Sequence, residues 1–197
     1  MILLPQHKKA VEQVRKFIDT EDFYLAGGTA LYYYLGHRDS IDLDFFTQKE
    51  FDFVKYSETF RPYTILFRSK DTIHADVEQV KMSFFHYSYK LLRPLGQLDI
   101  VPIASIEDIL CMKISAIIDR GSRKDFTDVY FIMQKLSLTP ERVIELFVNK
   151  YGTYNPLVIN KAMTYFVDAD REAELKLFRA VEWGKIKDFF IKMFTKI

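Results

Sequence analysis

A strand that runs into two glycines, then a short helix, then a strand bearing two alternate acids leaves a chain few folds to choose from. Tyr24-Leu25-Ala26 leads into Gly27-Gly28-Thr29, a helix-forming run continues to Leu35, Gly36 stops it, and Ile41-Asp42-Leu43-Asp44-Phe45-Phe46 reads as the second strand. Strand side chains alternate between faces, so this register puts Asp42 and Asp44 on one side and Ile41, Leu43 and Phe45 on the other, in a core. Two adjacent carboxylates repel unless a cation neutralises them, which is how Mg²⁺ is commonly held near phosphates. The glycine turn, opening a helix, can offer backbone N–H groups to an anion. The stretch therefore reads as a metal-and-phosphate site.

The rest of the N-terminal half supplies a sheet. Pro5 opens an amphipathic helix on which Ala10, Val11, Val14, Phe17 and Ile18 recur at helical spacing to about Asp19. Lys49 to Thr59 reads as a polar-faced helix. Alternating stretches follow at Thr64–Arg68, Thr72–Val77 and Val80–His86, with joints at Ser69-Lys70-Asp71 and Glu78-Gln79 short enough for hairpins, and Gln97 to Val101 reads as a last strand. After Pro102 the pattern is helical: Ser105 to about Asp119, Arg123 to Lys135, a helix from Thr139-Pro140, another after Pro156, and a tail from Glu182 through Phe194. The expectation is an α+β chain, a small mixed β-sheet with helices on one side over residues 1–101 and a helical domain over 102–197 that closes over it. Aromatic and methionine stripes (Met133, Phe147, Phe166, Met193) read as core.

Composition narrows the setting. Hydrophobic residues make up 49% and aromatics 16% of 197 residues, enough to bury a core. Twenty-eight basic against 27 acidic residues leave almost no net charge, so nucleic acid would have to meet a local basic patch. One cysteine, Cys111, cannot form an internal disulfide, and the four histidines show no zinc spacing. No apolar run approaches the roughly 20 residues of a membrane helix, and no signal peptide is evident, so a cytoplasmic protein is expected. In the helical half the charged set Lys113, Arg120, Arg123, Lys124, Asp125 and Asp128 flanks one interhelical turn. Such a set is either a salt-bridged corner or a grip on a triphosphate.

These residues carry a resemblance. Gly27-Gly28-Thr29 followed by Asp42-Leu43-Asp44 resembles the signature of the DNA polymerase beta-type nucleotidyltransferase superfamily. The longer strings Ala26 to Leu31 and His37-Arg38-Asp39-Ser40 through Phe46 are similar to its AbiEii/AbiGii toxin-like branch. Val80 to Phe85, Ala104 to Ile109, and Lys113 through Arg120 to Arg123–Tyr130 extend the likeness over residues 20–135. The resemblance implies a nucleotidyltransferase core and transfer of a nucleoside monophosphate from an NTP to an acceptor, with RNA such as tRNA as one acceptor and an antitoxin protein as partner. It implies Mg²⁺ on Asp42 and Asp44; nucleotide binding by Gly27, Gly28, Thr29, Arg38, Ser40, Lys113 and Arg120; and Asp125 as a further essential acid. Lys113 is expected near the glycine turn, with Arg120 and Asp125 close behind. The superfamily's third carboxylate falls at Ser83, with Asp76 and Asp99 as substitutes, so a nucleotide-binding protein of this fold with weak or no catalysis is the alternative. An unrelated α/β interaction protein is the remaining one.

Overall fold

A computed structural model describes residues 2–152 and 155–195, which form two compact units: Met1–Tyr33 with Ser40–Ser105, and Tyr34–Asp39 with Ile106–Ile197. The first unit holds helices α1 (Pro5–Gln13) and α2 (Arg15–Thr20), strand β1 (Tyr24–Ala26), the start of helix α3 (Gly27–Leu35), strand β2 (Leu43–Thr47) and the short helix α4 (Ser57–Phe60). Strands β3 (Thr64–Arg68), β4 (Thr72–Val77), β5 (Val80–His86), β6 (Gly96–Leu98) and β7 (Val101–Ile103) complete it. The strands form one sheet in the order β3-β4-β5-β2-β1-β7-β6. The β1–β7 and β2–β5 pairs are parallel and the others antiparallel, so the sheet is mixed, as expected.

One face of this sheet is apolar because the sequence alternates. Leu43 and Phe45 on β2, Ile73, Ala75 and Val77 on β4, and Met82 and Phe84 on β5 are buried. Phe17 of α2 packs its ring 5.1 Å from Phe84, 4.9 Å from Phe23 and 5.3 Å from Phe60, which fixes the helices to that face. Fully burying such a ring contributes about 1.5–3 kcal/mol.

Four local expectations change. The first helix is interrupted at Val14, whose N–H bonds Val11 O at 3.2 Å, a 3₁₀ tightening that divides it into α1 and α2. In place of a helix from Lys49, Asp52 caps a 3₁₀ turn at Phe53–Tyr56 by accepting from the Val54 N–H, and α4 follows. The last strand is a hairpin, because Asp99 turns the chain with a φ of +49°. Ile41 is 59% exposed: β2 begins only at Leu43, so the alternation does not reach back to it.

The second unit is helical: α5 (Ile106–Arg120), α6 (Arg123–Leu136), α7 (Pro140–Tyr151), α8 (Pro156–Met163) and α9 (Trp183–Phe194). Ile114, Phe126, Val129, Ile132, Phe147, Ile159 and Phe190 form its core, and Phe126 meets the rings of Phe166, Trp183 and Phe190. Within it, Lys150 of α7 donates to Asp108 of α5 at 2.7 Å, both side chains fully buried. Cys111 is a free thiol whose pKa burial pushes up to about 12, so it is inert. Among the described residues no helix is long and apolar enough to cross a membrane.

Candidate functional site

In the first unit the glycine turn lies directly under a carboxylate. Asp44 is half-buried on β2, level with Ala26 of β1 on one side and Ser83 of β5 on the other. Gly27, at φ +72°, turns the chain from β1 into α3, and a Cβ built on it would fall 2.6 Å from Asp44 Oδ2. Only glycine satisfies both the backbone angle and the space. The first N–H groups of a helix lack partners within it, so the start of α3 brings anion-binding donors to the same turn.

Asp42 is exposed, in the loop just before β2. That loop is pinned by Thr29, whose buried hydroxyl donates to Asp42 O at 2.5 Å and lies 2.9 Å from Ser40 Oγ. The side chains of Thr29 and Ser40 thus set the height of Asp42 relative to α3. Two oxygen-donor carboxylates suit Mg²⁺, which commonly takes one or two carboxylates and completes its shell with water and substrate phosphates. Among the described residues no group of three or more His, Cys, Asp or Glu side chains is placed to hold a metal ion.

Across from Asp44, Ser83 Oγ lies 3.0 Å from Nδ1 of His74 on β4. The substitutes weighed from the sequence are engaged differently: Asp76 accepts from the Gln79 N–H at 3.1 Å, and Asp99 pairs with Lys8 at 3.4 Å. The His74–Ser83 pair has a signal in the sequence, since the Glu78-Gln79 hairpin sets these two residues opposite each other.

The second unit holds a separate ionic cluster. Asp128 accepts from Arg38 through Nε at 2.7 Å and a terminal guanidinium nitrogen at 2.8 Å, pairs with His37 Nε2 at 2.7 Å, and meets Lys113 Nζ at 2.7 Å. Lys113 also donates to Asp125 at 2.9 Å, and Arg120 donates to Asp125 at 2.8 and 3.2 Å. Burial alone would raise the Asp128 pKa, but Lys113 and Arg38 outweigh it and hold the carboxyl well below its ordinary value. Burial opposes the charge on Lys113 as well, and Asp128 and Asp125 reverse that and raise its pKa. Arg38 is held charged in the same way, chiefly by Asp128 against burial. Three cations around two carboxylates leave this cluster positive, with Arg120 its most exposed member at 56% of its side chain. Arg38 is carried into it by residues 37–39, which bond to 176–178 through Phe178 N to His37 O and Asp39 N to Lys176 O.

Arg123, expected with these charges, stacks 5.1 Å from the Trp183 ring and bonds Ala169 O, while Lys124 is exposed. His37, given no role of its own by the sequence beyond its place in the family-like string, is a buried partner of Asp128, a link across 91 residues with no local signal.

A family model described as nucleotidyl transferase AbiEii toxin, type IV TA system, matches residues 11–100 and 83–195. The uncharacterized protein aq_aa25 of Aquifex aeolicus (strain VF5) is 38% identical over 197 residues, covering 95% of this chain and 94% of its own. JHP933 from Helicobacter pylori has a similar fold, with a TM-score of 0.52 at 20% identity over 96% of this chain and 92% of that one. The antibiotic-resistance factor ANT(2'')-Ia is similar at a TM-score of 0.51 and 12% identity, over 71% of this chain and 88% of that one.

Proposed function

The chain belongs to the AbiEii nucleotidyltransferase toxin family, and from that premise we propose that it transfers a nucleoside monophosphate from an NTP to an acceptor hydroxyl, with pyrophosphate leaving. The observation that carries this reading is Asp44 seated over Gly27, where a carboxylate and an anion-binding turn meet with no room for a side chain between them. Asp42 and Asp44 would hold Mg²⁺, which, when bound, neutralises phosphate charge and favours departure of pyrophosphate. The backbone of Gly27, Gly28 and Thr29 cradles phosphate, and the Thr29 and Ser40 hydroxyls keep Asp42 in position. Lys113, Arg38 and Arg120 are the proposed triphosphate-binding cations. A triphosphate carries about four negative charges of which a divalent ion cancels two, so a cation-rich partner is needed. Asp125 and Asp128 orient those cations and keep them charged.

RNA, tRNA included, is the proposed acceptor, an antitoxin protein the proposed partner, and the cytoplasm the proposed compartment, in keeping with a single unpaired cysteine. A second reading, a nucleotide-binding protein with little turnover, draws on Ser83, a neutral side chain, beside Asp44. The two are separated by incubating the pure protein with Mg²⁺, each α-labelled NTP and total cellular RNA. Label in RNA with matching pyrophosphate is expected; stoichiometric nucleotide binding without pyrophosphate would favour the second reading, and no binding at all would refute both.

A further inference from the structure

The row of the sheet that contains Asp44 continues outward through two groups suited to handling a proton. Ser83 neighbours Asp44 across the parallel β2–β5 pair, and His74 neighbours Ser83 across the antiparallel β4–β5 pair. Their in-sequence neighbours Leu43, Phe45, Met82, Phe84, Ile73 and Ala75 are buried on the face that meets α2, so Asp44, Ser83 and His74 project from the opposite face. Adjacent strands lie about 4.8 Å apart, which puts Ser83 one strand spacing from Asp44 and His74 two. The imidazole is fixed between the rings of Phe67, at 5.6 Å, and Phe85, at 5.5 Å, with Nδ1 on Ser83 Oγ at 3.0 Å.

Resting on the nucleotidyl-transfer reading, we infer that Ser83 and His74 are the proton-accepting arm of that site. The acceptor O–H bond breaks as its oxygen bonds to the α-phosphorus. The proton passes to Ser83 Oγ while the Ser83 proton passes to His74 Nδ1, and the electron pair of the broken bond to the α-phosphorus leaves on pyrophosphate. His74 gives its extra proton to water before the next cycle. The step requires the Nε2–H tautomer, in which Nδ1 is an acceptor. Ser83 touches the acceptor; His74 acts through Ser83 and is a positioning residue. The charged groups on this face around His74 are Asp76 on its own strand, Lys81 on β5 and Asp44 beyond Ser83; β3 presents Phe67.

The test compares wild type with His74→Ala, His74→Gln, Ser83→Ala and Asp44→Asn, measuring α-label transfer to RNA between about pH 5.5 and 8.5 and Mg²⁺–NTP binding by calorimetry. General-base catalysis is worth roughly 10²–10⁴-fold, so both His74 variants should slow transfer at least a hundredfold with NTP affinity within about twofold. They should also lose the fall in rate toward acid pH that a protonated imidazole imposes on wild type. Glutamine can keep a hydrogen bond to Ser83 but cannot take a proton, so wild-type rates in His74→Gln, or an unchanged acid limb, would overturn the inference. Nitrogen NMR of the unliganded protein gives a readout apart from activity: the Nε2–H tautomer is expected, and Nδ1–H would overturn it. If Asp44→Asn abolishes transfer and His74→Gln does not, this inference alone fails. If Asp44→Asn transfers at the wild-type rate, the reading beneath it fails too.

Discussion

Gly27→Ala separates the cost of folding from the cost of function at one position. The backbone there has a φ of +72°, and placing an L-residue in this left-handed region costs about 1–2 kcal/mol. The added methyl would meet Asp44 Oδ2 at 2.6 Å, against an ordinary contact of 3.4 Å or more. The Oδ2 contact is relieved by swinging the carboxylate by about 0.8 Å, and the 3.2 Å approach to Asp44 Cβ by a further shift of a few tenths of an ångström, so most of the clash is taken up by displacing Asp44 and less by unfolding. A misplacement near 1 Å at a reacting site can cost about a hundredfold in rate. Gly36→Ala is the control: its φ is +55°, with nothing within 4 Å of the new Cβ. Urea unfolding should therefore show both variants destabilised by similar amounts, about 1–2 kcal/mol, while label transfer falls roughly a hundredfold only in Gly27→Ala. Equal transfer by the two variants would refute the role given to the contact between Gly27 and Asp44.

Asp128→Asn strips the buried Lys113, Arg38 and His37 of their shared carboxylate, and breaking such a pair typically costs about 3–5 kcal/mol. The Asp128 pKa is depressed in the fold, so its contribution is full above the unfolded value near 3.9 and is lost as pH falls below it; the wild-type advantage in urea unfolding should be present at pH 7 and shrink only below about pH 4. A gap that is absent at pH 7, or unchanged far below pH 4, would contradict this. Arg120→Ala removes the most exposed cation of the cluster and should cost no more than about 1 kcal/mol of stability. Calorimetry should show it weakening NTP binding more than monophosphate binding; equal effects on both would count against a triphosphate contact.

The chain displays its local structure openly and its long-range chemistry hardly at all. Strands β3, β4 and β5 have the bounds read from alternation: β4 and β5 each have one face in the core, while β3 is a largely exposed edge strand whose ends are set by its pairing with β4 and the polar turn at 69–71. The turn at Gly27 and the place of Asp44 on a strand were legible because strand and glycine signals are local; the alternation that sets Asp42 on the same strand face does not hold, since Asp42 lies in the loop before β2. β2 starts two residues later than the alternation predicts, as the loop before it is set by Thr29, a contact across 13 residues. His37 and Arg38 reach Asp128 over 91 and 90 residues, and Lys150 reaches Asp108 over 42; helical periodicity can place Asp108, Asp128 and Lys150 facing inward but not say which charge meets which, and His37 and Arg38 lie in the loop after α3, where no periodicity applies. The neighbourhood of Asp44 and Ser83 depends on a parallel pairing that no hairpin encodes.

On the proposed function, Asp42 and Asp44 carry metal-dependent nucleotidyl transfer in this chain. The most direct test is transfer of label from an α-labelled NTP to RNA by wild type, Asp42→Asn and Asp44→Asn, with Mg²⁺ and with chelator, alongside urea unfolding of each protein. Each substitution keeps the side-chain shape and removes one carboxylate charge without opening a cavity, so the fold should stay within about 1 kcal/mol of wild type. Transfer should fall at least about a hundredfold in both variants, and to background in chelator, given the several kcal/mol that a bound metal contributes at the transition state. Variants that unfold while wild type shows no Mg²⁺-dependent transfer, or folded variants that transfer as fast as wild type, would contradict the account.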